Sequence, residues 1–314
     1  MGSLFKKGAV ANQTSGRPPA AVELSPDGVL AAALLGAGSR RGASEAGQGC
    51  VYAFVPLPEG ALVPSLDEPN LRPPETVASA IRAALAQAPP RSRAVTLILP
   101  DILVRVFVLD FDALPDKQAE AVSVVRFRLR KMVPFEVEPA GVSFQVLTQG
   151  EPGCNVLAAI IPGPILAEYE AAVRDAGYEP GAVLSSSLAA LEVADATEGV
   201  LAANLSANSI TTAVAIGNNL LLYRTLDLPP EPWSRAPEIE RSIAVAAAYF
   251  EDKLGAPPQR LYYSGIEAPA EFAESMGHSA IPIVEWTARP DEGALTSLPQ
   301  TSLAGVAGAL AGAS

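Results

Sequence analysis

The sequence has few residues that could supply metal-binding or redox chemistry. Its 314 residues include two cysteines and one histidine. Cys50 and Cys154 are far apart and form no Cys-x-x-Cys motif, which argues against a structural zinc site and a disulfide framework. A Ser-His-Asp or Cys-His device would depend on His278, whose Gly- and Ser-containing surroundings are typical of a surface loop. We therefore predict no metal ion and no catalytic residues.

Positive charge is also scarce, and long apolar runs are absent. The chain has 22 Lys and Arg residues and 34 Asp and Glu residues, which gives a net charge of −12. This acidic balance argues against a nucleic-acid-binding protein. The long uncharged stretch at 199–223 contains several Asn, Ser and Thr residues that would be costly in a bilayer. Hydrophobic residues make up 49% of the chain, enough for a large core. These features predict a folded protein of the cytoplasm.

The order of apolar patterns predicts a mixed α/β protein. Strand-turn-strand hairpins begin near Ala20 and near Gly199, and apolar residues at helical spacing follow each of them later in the chain. A Rossmann fold would instead place a helix after the first strand. The predicted helices are 74–87, 115–132, 164–176, 184–195, 237–254, 269–276 and 302–311. The predicted divisions are a flexible N-terminus at 1–19, a first domain at 20–198 with an inserted subdomain at about 92–162, and a second domain at 199–314.

Several motifs, in order, resemble a known family. Leu97-Ile98-Leu99-Pro100 precedes a β-rich segment, and a helix then ends in Met132-Val133-Pro134-Phe135. Ala176-Gly177-Tyr178-Glu179-Pro180, Ser264-Gly265-Ile266-Glu267-Ala268 and a small-residue helix near residue 305 follow. This succession resembles the PilM family, which are cytoplasmic actin-like proteins of type IV pilus assembly, and the related L proteins of type II secretion.

The resemblance implies a fold, a partner and a location. The fold is an actin-like (ribonuclease-H-like) α/β fold with two domains and an inserted subdomain. The function is a non-catalytic scaffold that docks the cytoplasmic N-terminal tail of a PilN-like inner-membrane protein, together with other components of the pilus machine. The protein would be cytoplasmic and associated with the inner membrane through its partners.

The nucleotide loops of the actin-like fold are degenerate at the matching positions. Such loops present Asp-x-Gly, because glycine lets the backbone approach a phosphate and the acid holds the hydrated metal. The corresponding segments here are Glu23-Leu24-Ser25, followed by Pro26, and Asn204-Leu205-Ser206. In the third loop only Ser264 and Gly265 are retained. We therefore predict no cofactor; the alternative is a residual site for ATP with Mg²⁺, in which Glu23 and Asn204 contact the metal shell.

A basic helix end is the second candidate site. The chain places Arg126, Arg128, Arg130 and Lys131 close together in an acidic protein. One interpretation is a solvated helix face, and the other is a patch that meets an acidic partner segment or anionic lipid headgroups. In the family, a groove beside the inserted subdomain receives an extended peptide. The predicted partner-binding residues are Leu97, Leu99, Arg105, Arg126, Arg128, Arg130 and Lys131.

Two other functions remain open at this stage. One is an actin-like ATPase or a small-molecule kinase with a degenerate nucleotide site. A kinase needs a catalytic acid beside an intact phosphate cradle, and the sequence offers no such set. The other is the cytoplasmic part of a secretion L protein, which in that family continues into a membrane span.

Overall fold

The computed structural model describes residues 16–35, 49–150, 153–194, 196–276, 281–287 and 302–313. His278 and most of the predicted flexible N-terminus lie outside these ranges. The strands are β1 (Ala20–Ser25), β2 (Gly28–Leu34), β3 (Cys50–Pro56), β4 (Ala94–Leu99), β5 (Arg105–Phe111), β6 (Gly141–Gly150), β7 (Gly153–Ile161), β8 (Glu179–Ser185), β9 (Val200–Leu205), β10 (Ser209–Ile216), β11 (Asn219–Asp227), β12 (Leu261–Gly265) and β13 (Ile283–Glu285).

Helices connect the strands and cover the sheets. They are α1 (Pro74–Gln87), α2 (Gln118–Leu129), α3 (Gly163–Asp175), α4 (Ser186–Ala190), α5 (Pro232–Leu254), α6 (Pro269–Ser275) and α7 (Ala304–Ala311), with short 3-10 turns at Asp101–Leu103 and Leu191–Val193. Apolar residues at helical spacing explain α1, whose Val77, Ile81, Ala84 and Leu85 are buried. None of the helices in the described part of the chain is both long and apolar enough to cross a bilayer.

Two five-stranded sheets repeat one strand order. The first runs β3-β2-β1-β4-β8 and the second β11-β10-β9-β12-β13. In the first sheet β3, β2 and β1 are antiparallel neighbours, and β4 and β8 lie parallel to β1. In the second sheet β11, β10 and β9 are antiparallel neighbours, and β12 and β13 lie parallel to β9. This duplicated arrangement is the predicted actin-like fold. The exact division at residue 198 stays a prediction.

A third sheet of three antiparallel strands, β5-β7-β6, carries α2 on one face. The strand β4, which the sequence analysis assigned to the inserted subdomain, lies instead in the middle of the first sheet. The insertion therefore begins only after the turn at Asp101–Leu103. Helix α2 is shorter than the predicted helix 115–132 and buries Ala121, Val125 and Leu129, about one residue per turn.

Strand β9 is apolar almost throughout because both of its faces are buried. Val200 and Ala202 point into a core that the first sheet shares with one face of the second. Leu201 and Leu205 point to the other face, where α5 and α6 pack. A strand buried on two sides requires such a continuous apolar run. The core shared by the two sheets places the ends of β1, β4, β9 and β12 around one cleft.

Two elements differ from the sequence-based prediction. Strand β8 was missed because Pro180 and Gly181 disfavour a strand. The structure accommodates them because β8 is an edge strand, and its pairing with β4 is irregular at Gly181. Helix α5 begins at Pro232 rather than at Pro237, so the first of two prolines takes the preferred initial position and the second lies inside the helix.

Candidate functional site

The cleft between the two five-stranded sheets collects all six residues of the predicted degenerate loops. The first loop, at the end of β1, contributes Glu23 and Ser25, and the second, at the end of β9, contributes Asn204 and Ser206. The end of β12 supplies the third loop. The lining residues from that loop include Ser264 and Gly265. Local sequence therefore identified the correct strand ends, and the duplicated sheet order brings them together.

Asp101 is the centre of a buried hydrogen-bond network in this cleft. Its carboxylate accepts hydrogen bonds from the backbone N–H of Ser187 at 2.9 Å and from the Ser187 hydroxyl. It also accepts bonds from Asn204 Nδ2 at 3.0 Å and from the Tyr223 hydroxyl at 2.9 Å. Ser187 follows β8 of the first sheet, whereas Asn204 lies in β9 and Tyr223 in β11 of the second sheet. The carboxylate thus joins the two halves of the fold, each of which is built on one of these sheets.

The remaining polar atoms of the network are also engaged. Asn204 Oδ1 accepts a hydrogen bond from Ser264 Oγ at 2.8 Å, so both ends of the Asn204 amide are in use. Burial, followed by the nearby Asp101 charge, raises the pKa of Tyr223 well above its ordinary value. The phenol therefore stays protonated and continues to donate to Asp101.

Glu23 occupies the position of the first loop acid, but its environment disfavours charge. Ser186 Oγ donates to its Oε1 at 2.5 Å, whereas its buried Oε2 has no hydrogen-bond partner among the described residues. Desolvation by burial is the largest cause that raises the pKa of Glu23 from 4.5 to about 7. Gly305 of α7 lies directly against this carboxylate, since a Cβ there would come within 2.4 Å of Oε2.

We expect Glu23 to make stability fall as the pH rises. The folded-state pKa is about 7 and the ordinary value is 4.5, so the folded protein holds the proton more tightly than the unfolded chain. The contribution of Glu23 to the free energy of unfolding is then most favourable below the lower pKa and declines between the two pKa values. Above the higher pKa it is smaller by about 3 kcal/mol. Urea unfolding across this pH range should show the decline in the wild type and lose it in Glu23→Gln. The exposed Glu75→Gln is the control, and an unchanged slope in Glu23→Gln would contradict the assignment.

Several backbone N–H groups that a phosphate could use are absent or already bonded. Pro26 has no N–H in the first loop. In the second loop the Ser206 hydroxyl accepts the N–H groups of Asn208 at 3.4 Å and Ser209 at 3.0 Å. In the third, the N–H of Ile266 donates to Leu205 O at 3.1 Å. The remaining space in the cleft measures about 90 Å³, whereas small-molecule sites enclose roughly 300–1,000 Å³.

No group of three or more His, Cys, Asp or Glu side chains suited to a metal ion occurs within the described ranges. The network also contains residues that the sequence analysis did not single out, namely Asp101, Ser186, Ser187, Tyr223 and Gly305. One signal was present, because only Pro100 separates Asp101 from the end of the apolar strand β4. The strand ends of a parallel pair meet at one sheet edge, so an acid at that point was a candidate.

The predicted partner-binding residues are not brought together. Leu97 and Leu99 are completely buried in β4, which is paired with β1 on one side and with β8 on the other. The prediction that these two residues contact a partner is therefore wrong for this conformation, because the strand has no free edge. Arg105 is half-buried at the start of β5, which is an edge strand of the third sheet.

The four cations have different surroundings. Arg126 donates from one guanidinium nitrogen to the carbonyls of Val137 and Ala140 and so holds the segment that follows α2. Arg130 pairs with Glu138. Arg128 and Lys131 are exposed, and no ion pair joins either of them to another residue that the structure describes. Arg126 is therefore a structural residue rather than part of an open patch.

A larger cavity of about 390 Å³ lies beside the edge strand β6. Gln145 of β6 lines one side, and the connection from α4 to β9 together with the β10–β11 turn lines the other. From that connection and turn come Leu191, Glu192, Ala194, Ala196, Thr197, Gly217 and Asn218. None of the four cations lines this cavity. It adjoins a strand that can accept an added strand on its unpaired side.

Comparison with solved structures identifies the fold. The chain superimposes on a structure described as a PilM-PilN type IV pilus biogenesis complex with a TM-score of 0.65, at 19% identity, covering 94% of this chain and 97% of that one. At this level of identity the similarity shows a common fold over nearly the whole chain. The resemblance to PilM noted in the sequence is confirmed to that extent.

More distant structural similarities also occur. The cytoplasmic domain of EpsL, an inner-membrane component of the Vibrio cholerae type II secretion system, matches with a TM-score of 0.49 at 13% identity, covering 86% of this chain and 88% of that one. A Bacteroides thetaiotaomicron protein with an actin-like ATPase fold and unknown function has the same TM-score at 11% identity, with coverages of 88% and 94%. No family profile and no curated protein matches the sequence.

Proposed function

We propose that the protein is a non-catalytic component of a type IV pilus or related secretion assembly machine and docks the cytoplasmic tail of a PilN-like inner-membrane protein. The observation that carries this proposal is the PilM fold over 94% of the chain, in a structure whose partner is PilN. On this proposal the protein works in the cytoplasm at the inner membrane. Its cleft serves to hold the two halves together.

The cleft supports the non-catalytic part of the proposal. An actin-like ATPase needs free backbone N–H groups for the phosphates and a charged acid for the metal. Here Ser206 bonds the loop amides internally, Asn204 replaces the second acid, and the pKa of Glu23 is about 7. Asp101 is occupied by four donors. Binding of a nucleotide and Mg²⁺ would have to break this network.

We therefore expect no useful affinity for ATP. Each lost charge-assisted contact costs about 1.5–3 kcal/mol, so the loss of three costs about 4.5 kcal/mol or more. That is enough to take a micromolar site beyond millimolar. Isothermal titration of the purified protein with ATP and Mg²⁺ should give no measurable binding. A low-micromolar dissociation constant, or turnover that Glu23→Ala abolishes, would favour the ATPase or kinase alternative.

The cavity beside β6 is the proposed docking site for the tail. Strand β6 has an unpaired side in the sheet order, and an extended peptide can add there through main-chain hydrogen bonds. The neighbouring cavity, at about 390 Å³, can take a side chain of such a peptide. This position replaces the buried β4 strand of the sequence-based prediction and keeps the groove beside the inserted sheet.

Filling the cavity should weaken docking. We expect a synthetic N-terminal peptide of the cognate PilN-like protein to bind with micromolar affinity, and Ala196→Trp to weaken binding at least about tenfold because two or more side-chain contacts are displaced. Fluorescence anisotropy of the labelled peptide is the measurement. Ala119→Trp, an exposed alanine near the start of α2, is the matched control. Equal affinities for the two variants would show that the cavity does not bind the peptide. If the wild type does not bind the peptide at all, the proposed partner is wrong.

A further inference from the structure

The outer face of α2 combines exposed apolar side chains with unpaired cations. Phe127 is 71% exposed, Val124 is 37% exposed, and Met132, just beyond the helix, is 42% exposed. Phe127 and Arg128 lie three and four residues after Val124, and Lys131 lies four and three residues after them, so the four residues share one side of the helix and its extension. We call Val124, Phe127, Arg128, Lys131 and Met132 the α2 patch.

Packing does not explain this patch. The opposite side of α2 supplies the helix's contribution to the core through Ala121, Val125 and Leu129. Arg126 and Arg130 are used to hold the following segment, whereas Arg128 and Lys131 have no ion-pair partner within the described part of the chain. The Phe127 ring has a cation–π contact with Arg130, whose guanidinium carbon lies 6.0 Å from the ring centroid, but most of the side chain remains exposed. A largely exposed phenylalanine beside Arg128 and Lys131 indicates an interaction surface.

We propose that the α2 patch binds the surface of an anionic lipid bilayer. Aromatic and aliphatic side chains beside Lys and Arg are the composition of interfacial membrane contacts, in which the ring enters the headgroup region and the cations meet lipid phosphates. Phe127 is largely exposed and lines neither cavity described above, so its ring projects into the solvent. A deformable bilayer fits a projecting ring, whereas a protein partner would have to offer a matching hollow.

The net charge of −12 does not prevent this contact. At physiological ionic strength charges more than about 8 Å apart are largely screened, so a bilayer responds to the nearest groups. Of the carboxylates close in sequence, Glu138 is paired with Arg130 and Glu120 with Lys117. Asp116 and Glu136 are exposed and have no ion pair among the described residues. Repulsion elsewhere on the surface would restrict binding to this one face and so orient the molecule.

Vesicle flotation tests the proposal with the full chain. The wild type should float with vesicles of phosphatidylcholine mixed with phosphatidylglycerol and not with pure phosphatidylcholine, and high salt should release it. Arg128→Gln with Lys131→Gln should weaken binding about 25-fold, at roughly fivefold for each cation. Phe127→Ser should weaken it about tenfold. All of these side chains are exposed, so the midpoint of thermal unfolding should not move.

Matched controls come from α5. Trp233 is 79% exposed, and Arg241 and Lys253 are exposed cations on the same helix. Trp233→Ser, and Arg241→Gln with Lys253→Gln, should leave flotation unchanged. Failure of the wild type to bind anionic vesicles, or equal losses in the α5 variants, would overturn the proposal. Peptide binding at the β6 cavity is a separate readout: if Phe127→Ser weakens the peptide and vesicles do not bind, α2 is a protein-binding surface and the membrane proposal is wrong.

Discussion

Replacing Asp101 by alanine should lower the midpoint of thermal unfolding by about 10 °C. The substitution leaves the N–H and the hydroxyl of Ser187 without their acceptor in a buried site. It also removes one of the two partners of Asn204 Nδ2 and of the Tyr223 hydroxyl, each of which keeps a contact with a neighbouring serine hydroxyl. A buried donor without a partner costs about 1–3 kcal/mol, so the loss should be about 4 kcal/mol. For a chain of this size each kcal/mol moves the midpoint by roughly 2–4 °C. Scanning calorimetry is the measurement.

The matched control for Asp101 is Asp110→Ala, at an exposed aspartate in β5. It should change the midpoint by no more than about 1–2 °C, as is usual for surface substitutions. Tyr223→Phe should be partly non-additive with Asp101→Ala, because both remove the same hydrogen bond. An unchanged midpoint in Asp101→Ala would show that the network does not hold the two halves together.

Gly308→Ala should destabilise the protein although alanine is the better helix former. Helix propensity alone favours alanine by about 1 kcal/mol. A Cβ on Gly308, however, would lie 1.8 Å from the Ala189 carbonyl oxygen of α4, and that atom belongs to the backbone and cannot turn aside. Helix α7 would have to move away from α4 and β1, so we expect a net loss of about 2–3 kcal/mol in the free energy of unfolding.

The control for Gly308 lies in the same helix. Ala311 is exposed, so Ala311→Gly changes propensity without touching α4 and should cost at most about 1 kcal/mol. Urea titration of both variants separates packing from propensity, since the two effects have opposite signs at Gly308. A more stable Gly308→Ala protein would mean that α7 does not pack on α4 as described.

Local patterns predicted the parts of the fold that depend on neighbouring residues. Helix α1 was predicted with its observed bounds, because its apolar spacing and the prolines on both sides are short-range signals. The repeated Glu-Leu-Ser and Asn-Leu-Ser segments located two strand ends of the cleft. Strand β8 escaped prediction because Pro180 and Gly181 are acceptable only at a sheet edge, and edge position is not a local property.

The sequence by itself determined the succession of hairpins and helices, the duplicated opening, and the replacement of the loop acids and glycines. Only the tertiary structure decided which side chains meet. The donors to Asp101 come from Ser187, Asn204 and Tyr223, which lie 86, 103 and 122 residues further along the chain. Likewise, the apolar pattern of Leu97 and Leu99 indicates burial somewhere, but the elements packed on their face of the first sheet made them core residues. The spacing of apolar residues shows which face of a strand or helix is apolar. Which element packs on that face depends on residues distant in the chain.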